Sequence, residues 1–322
     1  MSNLDRRPAA HELGGLEQTS AGPALDLLPG KEVQLGETTR VRRLLPTLGR
    51  RLVGAWAFVD SYGPDDVTSS PGMQVAPHPH TGLQTVSWLL QGEVHHRDSL
   101  GSDVTFGPGQ LALMTAGHGI AHSEQSPADH ARFLHGAQLW VVLPDGSRDV
   151  APAFEHHETL PGFTSDGLSA TVLMGSFGGA TSPGTAYTPL VGADLDLAAG
   201  TDVEVPLEPD FEYALLAPAG SAAVEEARLD GGGMLYLGSG RRTLRLRTDE
   251  PARLLLLGGQ PFEERIVMWW NFVGRSGEEI ADFATDWNTE GGRFDPVVGY
   301  DGDRLEAPPL PALPLKPRGR QR

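Results

Sequence analysis

Short apolar runs separated by glycine and proline follow one another along most of this chain. Examples are TVSWLLQGEV at 85–94 and GQLALMTAG at 109–117, and the same rhythm returns in ATVLMGSF at 170–177 and TLRLRT at 243–248. Runs of this length, bounded by turn residues and without long helical patterns between them, are typical of β-sandwiches and barrels. In TLRLRT leucine alternates with arginine, which predicts a strand with one buried and one wet face. The sequence therefore predicts an all-β fold.

The strand pattern falls into two sets, and 322 residues are enough for two domains. We expect a flexible lead-in over residues 1–29, a first barrel over 30–155, a second barrel over 156–262 and a C-terminal segment over 263–322. The C-terminal segment contains SGEEIADFATDWN, which has the serine-to-glutamate spacing of a capping box and one apolar helical face. A proline-rich tail follows it, so we expect two β domains, one short helix and an extended end.

Charge and composition narrow the possible partners. The chain has 42 acidic and 25 basic side chains, a formal charge of −17, which repels a phosphate backbone and argues against direct nucleic-acid binding. It has no cysteine, so disulfides, thiolate metal sites and cysteine nucleophiles are excluded. No apolar run approaches the roughly 20 residues that span a bilayer, and the first residues lack the apolar core of a secretory signal. We therefore expect a cytoplasmic protein with no membrane partner.

Two histidine-containing pairs carry the strongest chemical signal. His78 and His80 are separated by one residue at the start of a predicted strand, and His122 and Glu124 repeat that spacing. Alternate residues of a strand share a face, so two such pairs on neighbouring strands would converge on one point. Three imidazoles and a carboxylate suit one divalent transition metal: Fe(II), Mn, Ni, Cu or Zn. Six-coordination would leave two positions open, and closure at four would suit zinc; otherwise ordinary hydrogen bonds must satisfy the buried rings.

The residues around these pairs resemble a known family. VGAWAFVDSYGP, APHPHTGLQTVSWLLQGEVHHRDSLGS and GPGQLALMTAGHGIAHSEQSP, within residues 40–145, are similar to the N-terminal domain of the pirin family in the cupin superfamily. The likeness is weaker beyond residue 160. It implies a bicupin, two stacked β-barrels, in which the N-terminal barrel binds one metal, commonly iron, and the second has lost its ligands. Carried over position by position, the ligands implied are His78, His80, His122 and Glu124, with Fe(II) as the expected metal.

Three positions near the site bear on that resemblance. Gln84 stands where cupins generally have a glutamate, and we expect Gln84→Glu to keep or tighten metal binding by adding charge. His118 replaces the usual arginine of the AGRGI pattern and is a candidate acid/base at the pocket mouth, or else a loop histidine in water. His96 takes the position of the family's H-x-D-S histidine and is a candidate hydrogen-bond partner of a ligand.

The resemblance implies one of two classes of function. Some pirins act as quercetin 2,3-dioxygenases, which predicts a metal-dependent dioxygenase acting on a flavonol or another oxygen-chelating aromatic, with Glu124 and His118 as catalytic residues. The alternative is a metal- or redox-dependent regulator that binds a protein partner, as pirins resembling transcriptional cofactors do. A barrel that binds metal without turning over a substrate is a third interpretation.

Overall fold

The structure, a computed structural model, describes residues 11–13, 22–35, 39–47, 49–312 and 314–315. Within these residues the chain forms 26 strands and one helix. Of these strands, 23 build two β-barrels, each made of a larger and a smaller antiparallel sheet, and the other three form a separate antiparallel sheet. The prediction of an all-β, two-barrel fold with a short C-terminal helix is confirmed.

The elements, in chain order, are β1 (His11–Leu13), β2 (Pro23–Pro29), β3 (Lys31–Leu35), β4 (Thr39–Leu45), β5 (Trp56–Asp66), β6 (Gln74–His80), β7 (Leu83–Gln91), β8 (Val94–Asp98), β9 (Asp103–Phe106), β10 (Leu111–Thr115), β11 (Ile120–Gln125), β12 (Phe133–Val142), β13 (Ala153–His157), β14 (Gly162–Ser165), β15 (Leu168–Phe177), β16 (Ala180–Thr181), β17 (Leu190–Leu197), β18 (Asp202–Pro206), β19 (Glu212–Ala219), β20 (Ser221–Val224), β21 (Ala227–Asp230), β22 (Gly233–Gly238), β23 (Thr243–Arg247), β24 (Ala252–Gly259), β25 (Ile266–Trp269), β26 (Phe272–Gly274) and α1 (Gly277–Asn288).

The first barrel combines a seven-stranded sheet, in the order β13-β10-β7-β12-β5-β4-β3, with a four-stranded sheet, in the order β6-β11-β8-β9. Every strand of the larger sheet pairs antiparallel with its neighbours. Strand β13 crosses the boundary predicted between residues 155 and 156, because its pairing with β10 keeps His156 and His157 in the first barrel. The smaller sheet carries both histidine pairs, so it is the sheet that positions the site.

The second barrel has the same two-sheet plan. Its larger sheet runs β14-β15-β17-β24-β19-β22-β2, with β16 beside β15, and its smaller sheet runs β18-β23-β20-β21. In β18 and β23 every second residue is buried, as the leucine–arginine alternation predicts, so that Val203 lies opposite Leu246 and Val205 opposite Leu244. The inward residues are almost all leucine, valine and alanine, and they fill the barrel with an apolar core.

Part of the predicted lead-in is a strand of the second barrel. Strand β2 pairs with β22, with Leu27 opposite Leu235, and β3 then continues directly into the first barrel. We expected residues 1–29 to be a flexible lead-in, but residues 23–29 form a strand of the second barrel. The stretch PALDLLP is short and bounded by prolines, so its own pattern does not reveal a partner strand that lies far along the chain. Residues 1–10 and 14–21 of the lead-in lie outside the described residues.

Tryptophans of the first barrel dock against the second. The Trp56 indole nitrogen donates towards the carbonyl oxygens of Val191 and Gly258, each at 3.1 Å. The Trp88 indole nitrogen donates to the Asp194 carboxylate at 2.6 Å. Both rings are fully buried in an apolar cluster that also includes second-barrel leucines. These two tryptophans therefore pack where the two barrels meet.

Helix α1 begins as its sequence predicts. The Ser276 side chain accepts a hydrogen bond from the Glu279 backbone N–H at 3.2 Å, which caps the first turn. The predicted apolar face is buried against β25 and β26. Within the part of the chain that the structure describes, no helix combines the length and hydropathy needed to cross a membrane.

Residues 289–312, here called the C-terminal strap, lie against the smaller sheet of the first barrel. The Leu305 N–H donates to the Pro77 carbonyl at 2.8 Å, and the Val298 N–H donates to the Asp98 carbonyl at 3.1 Å. The strap therefore holds β6 and β8, the strands on either side of β11. The last part of the tail, residue 313 and residues 316–322, lies outside the described residues.

Candidate metal centre

Two neighbouring strands bring the predicted histidines together. Strands β6 and β11 pair antiparallel with His122 directly opposite His78, and the register shifts just after His122. His80 lies two residues along β6, at the spacing that returns a side chain to the same face. Each imidazole offers one nitrogen, and these three atoms lie within 4.8 Å of one another. All three side chains are at most 1 % exposed, so the group lies inside the barrel.

Hydrogen bonds determine which ring nitrogens can bind a metal. Nδ1 of His78 lies 2.8 Å from the Ala76 carbonyl oxygen, and Nδ1 of His80 lies 3.2 Å from the Asn271 carbonyl oxygen. A carbonyl can only accept, so each Nδ1 carries the proton and Nε2 keeps its lone pair. Nε2 of His122 is buried and has no hydrogen-bond partner within the described chain. Imidazoles in this state fit a divalent transition metal.

Burial also keeps the three rings uncharged. Loss of solvation lowers the pKa of His78 to about 4, although the bond to Ala76 and the charge of Glu124 act in the opposite direction. Burial, reinforced by the neighbouring rings, lowers the pKa of His80 and of His122 well below the usual value. At neutral pH the rings are therefore in the unprotonated state that binds a metal.

Glu124 lies two residues beyond His122 on β11 and is almost fully buried. Its Oε1 accepts a hydrogen bond from the Ser87 hydroxyl at 3.3 Å, and that hydroxyl also lies 2.8 Å from Oε1 of Gln138. The group of atoms within 4.8 Å contains the three histidines and not this carboxylate. The expected fourth ligand is thus inside the same barrel, held by a polar contact to β7, but outside the histidine group.

Strand β8 adds a second line of polar residues beside the histidines. His96 lies opposite Glu124 and Asp98 lies opposite His122. Nδ1 of His96 is 3.3 Å from Nδ1 of His122, and Nε2 of His96 is 3.0 Å from Oδ2 of Asp98. Burial raises the pKa of Asp98, but hydrogen bonds from His96 and Ser102 outweigh it and hold that pKa below its usual value. Asp98 is therefore a buried carboxylate, and the sequence had given it no functional role.

Strand β12 supplies an aromatic and amide wall. The Trp140 ring meets His80 edge-on, with centroids 5.2 Å apart, and stacks on Phe58 at 4.1 Å. Gln138 lies two residues earlier, at the spacing of the same face. The side-chain nitrogens of Gln138 and Trp140 are buried without a hydrogen-bond partner in the described part of the chain. A bound molecule with oxygen atoms would give these donors the acceptors they lack.

Gln84 does not face the histidines. It lies on the opposite face of β7 from Ser87, and its side-chain nitrogen donates to the Thr115 hydroxyl at 2.9 Å and to the Thr185 carbonyl at 3.0 Å. The turn before β7 contains Gly82, with φ +68°, and it breaks the simple alternation that would place Gln84 on the face of His80. A glutamate here would add no charge to the metal centre. The expectation that Gln84→Glu keeps or tightens metal binding stays a prediction, and this orientation favours unchanged binding over tighter binding.

His118 is exposed on the loop between β10 and β11. Its Nδ1 lies 3.2 Å from the Val150 carbonyl oxygen, and its own carbonyl accepts a hydrogen bond from Arg293 at 3.1 Å. It is not part of the histidine group. Of the two interpretations of this residue, the structure favours the loop histidine over the acid/base at the pocket mouth.

Known proteins match this chain in both barrels. Two family models fit it, Pirin over residues 38–141 and Pirin C-terminal cupin domain over residues 192–295. A Pseudomonas aeruginosa protein named "Putative quercetin 2,3-dioxygenase PA1205" is 45% identical over 89% of this chain and 91% of its own length.

Solved structures agree with the family match. The crystal structure of a quercetin 2,3-dioxygenase from Acinetobacter baumannii is 41% identical and has a TM-score of 0.87, covering 91% of this chain and 98% of that one. The bacterial pirin YhhW from Escherichia coli, solved in complex with nickel(II), has a TM-score of 0.58 at 16% identity over 74% of this chain and 100% of its own, which shows a shared fold. The two-barrel fold, the family models and the near full-length relative together show that this chain belongs to the pirin family, whose members are bicupins.

Proposed function

We propose that this chain is a metal-dependent dioxygenase of a flavonol such as quercetin, or of a similar aromatic with adjacent oxygen atoms. The observation that carries the proposal is the buried group of three neutral imidazoles whose ligand nitrogens lie within 4.8 Å of one another. The reaction class is supported by the relative named "Putative quercetin 2,3-dioxygenase PA1205" and by the solved structure named quercetin 2,3-dioxygenase, each of which covers most of this chain.

In this proposal His78, His80 and His122 bind one divalent metal through Nε2, and Glu124 is the fourth and only anionic ligand. The metal we propose is Fe(II), on the family resemblance; the same nitrogen and oxygen donors also suit Ni, Cu, Mn and Zn. A metal held by these residues would supply the redox chemistry.

The chain's own residues bind and orient the substrate. Glu124 takes the proton of a substrate hydroxyl at its carboxylate, and the bond from Ser87 keeps that carboxylate turned inward. The side-chain nitrogens of Gln138 and Trp140 donate hydrogen bonds to substrate oxygens, for which they have no competing partner within the described chain. The Trp140 ring, already stacked on Phe58, offers an aromatic wall to a planar substrate.

The test is metal analysis followed by oxygen consumption with quercetin, on protein purified without chelators or an affinity tag. We expect one equivalent of metal and oxygen uptake that depends on quercetin, both lost in His122→Ala. The matched control is His95→Ala, because His95 lies on β8 but bonds to Asp103 on β9 and not to the histidine group. Metal without uptake contradicts the dioxygenase, and absence of metal contradicts the site itself.

A second candidate function is a metal-dependent regulator that binds a protein partner. Burial favours it: all four candidate ligands are at most 2 % exposed, so a bicyclic substrate reaches them only if surrounding elements move. The charge of −17 makes a protein a better partner than a nucleic acid, and we propose the cytoplasm as the location. Quenching of tryptophan fluorescence by quercetin in the metal-loaded protein supports the enzyme; no binding at solubility-limited quercetin supports the regulator.

A further inference from the structure

We propose that Asp98 acts through His96 to hold His122 in the tautomer that leaves Nε2 free for the metal. The inference rests on the metal site of the proposed function and adds two positioning residues to it. It concerns a chain of three buried side chains that begins at a candidate ligand and ends at a carboxylate.

The three side chains form an unbroken line of contacts. Nδ1 of His122 is 3.3 Å from Nδ1 of His96, and Nε2 of His96 is 3.0 Å from Oδ2 of Asp98. All three are at most 3 % exposed, so water does not compete for these nitrogens. The His96 ring is stacked on Phe154, with centroids 4.0 Å apart and planes within 8°, which fixes the direction in which its two nitrogens point.

Asp98 is itself held in one orientation. Its Oδ1 accepts hydrogen bonds from the backbone N–H groups of Leu100 and Ser102, both at 2.9 Å. The Asp98 carbonyl accepts the Val298 N–H of the C-terminal strap. With Oδ1 occupied in this way, Oδ2 is the oxygen that faces His96, and an ionised carboxylate oxygen can only accept.

The positions of the ring protons on His96 and His122 can be worked out starting from the Asp98 carboxylate. Since Oδ2 of Asp98 accepts, Nε2 of His96 donates to it, and with one proton on the ring Nδ1 of His96 is left with a lone pair. The facing nitrogen, Nδ1 of His122, must then carry a proton to donate. His122 therefore keeps the lone pair on Nε2, the buried nitrogen that lacks a hydrogen-bond partner in the described chain. Because His122 is already in the Nδ1–H tautomer, no binding free energy is used to convert it from the Nε2–H tautomer when the metal binds.

The decisive substitution is Asp98→Asn, which keeps the shape of the side chain and reverses one hydrogen bond. The amide oxygen must remain on the Leu100 and Ser102 N–H groups, so the amide nitrogen faces Nε2 of His96 as a donor. His96 then accepts at Nε2 and carries its proton on Nδ1. Nδ1 of His122 becomes the acceptor and the proton moves to Nε2, where it blocks the metal.

The same hairpin offers a matched control. Nε2 of His95 bonds to Oδ1 of Asp103 at 2.5 Å, and this pair joins β8 to β9 with Asp103 largely exposed. Asp103→Asn therefore makes the same chemical change in a neighbouring histidine–aspartate pair that does not touch the candidate ligands. It controls for the general effect of removing one carboxylate from the hairpin.

The experiment has two readouts. In metal-free protein with 15N-labelled histidine, long-range 1H–15N correlation spectra report the tautomer of each ring, and His122 is assigned by its loss in His122→Ala. We expect the proton on Nδ1 in the parent protein and in Asp103→Asn, and on Nε2 in Asp98→Asn. Competition with a chelator measures the affinity for Fe(II) or Ni(II), and we expect a loss of about 10- to 100-fold in Asp98→Asn only.

Each outcome supports or overturns the positioning role. An unchanged His122 tautomer in Asp98→Asn, or equal loss of affinity in Asp103→Asn, overturns it. If Asp98→Asn does not fold, His96→Leu removes the partner of His122, and a spectrum that still shows a single Nδ1–H tautomer overturns the proposal. A parent protein that binds no metal refutes the proposed function, while the metal-free spectra still decide the tautomer.

Discussion

The two barrels share one plan and differ in what fills them. Each joins a larger antiparallel sheet to a four-stranded one. The first encloses histidines, Glu124, Asp98 and Gln138 among its buried residues, whereas the interior of the second is almost all leucine, valine and alanine. The sheet plan therefore leaves the chemistry open, and the side chains on the inward face of a few strands determine it.

The comparison also shows what a polar interior requires. Buried imidazoles and carboxylates are unfavourable unless they find partners, so a barrel filled with them gains less from burial than one filled with leucine. In this chain a shared apolar cluster lies between the barrels, where Trp56 and Trp88 pack with Leu173 and Leu257. The second barrel thus contributes leucines to the cluster that buries Trp56 and Trp88 of the barrel that carries the site.

The largest effect we expect is the loss of metal binding in the first barrel when one of its histidines is removed, with the second barrel unchanged. We expect His80→Ala or His122→Ala to weaken metal binding by more than about 100-fold, because loss of a ligand costs more than loss of a ligand's hydrogen-bond partner. Metal content after dialysis measures it. Full metal content in His122→Ala would show that the ligand assignment is wrong.

A substitution in the apolar core of the second barrel should have the opposite effect: it should lower stability and leave metal binding intact. Leu256 is fully buried in that core, and we expect Leu256→Ala to lower the free energy of unfolding by about 2–5 kcal/mol. Urea denaturation measures the change, and the folded variant should still bind one equivalent of metal. Leu255→Ala, on the other face of β24 in the shared cluster, is the comparison; metal loss in Leu256→Ala alone would contradict a purely structural second barrel.

We expect acid to destabilise the first barrel more than the second, because the sequence after residue 157 has no histidine. In metal-free protein, unfolded His78 takes up a proton near pH 6.5, but burial delays this to about pH 4 in the folded state. The unfolded state binds more protons in between, so stability falls as pH falls through this range, by about 3 kcal/mol from His78. Urea midpoints at pH 7.5 and 4.5 test this, and His78→Asn should show a smaller difference.

The smallest expected effect on metal distinguishes the two faces of β7. Gln84→Glu removes the donor to the Thr185 carbonyl, so we expect a loss of about 1–3 kcal/mol in stability. Metal affinity should stay within about twofold, since the side chain faces the barrel interface. Chelator competition checks this against Gln84→Met, which removes the hydrogen bonds without adding charge. A clear gain in affinity would show that Gln84 reaches the metal.

The sequence predicted the parts of the site that depend on local spacing. His78, His80 and His122 come together because alternate residues of a strand share a face and because β6 and β11 are neighbours. The helix cap at Ser276 followed equally from residues close in the chain. Strand alternation and capping need only nearest neighbours, so a single sequence carries them.

The features that the sequence did not predict depend on which face of a strand a residue occupies and on which strands pair. The sequence did not show which way Gln84 points, because a turn resets which residues of the next strand point inward. Asp98 reads as a turn residue in RDSLGS, and only the pairing of β8 with β11 places it opposite His122. Ser87 and Gln138 were missed for the same reason, since the register between β7 and β12 is set by tertiary contacts. The registers of β8 with β11 and of β7 with β12 would have identified Asp98, Ser87 and Gln138.

The C-terminal strap has a consequence for how the protein is made. Leu305, which bonds to the Pro77 carbonyl beside the first histidine, is synthesised roughly 230 residues after it. At about 5–20 residues per second, the ribosome needs on the order of 10–50 s to cover that distance. During this interval the histidine-bearing strands have emerged while the segment that ties down β6 and β8 has not. The hydrogen bonds by which the strap joins β6 and β8 can therefore form only after the chain has been extended through Leu305.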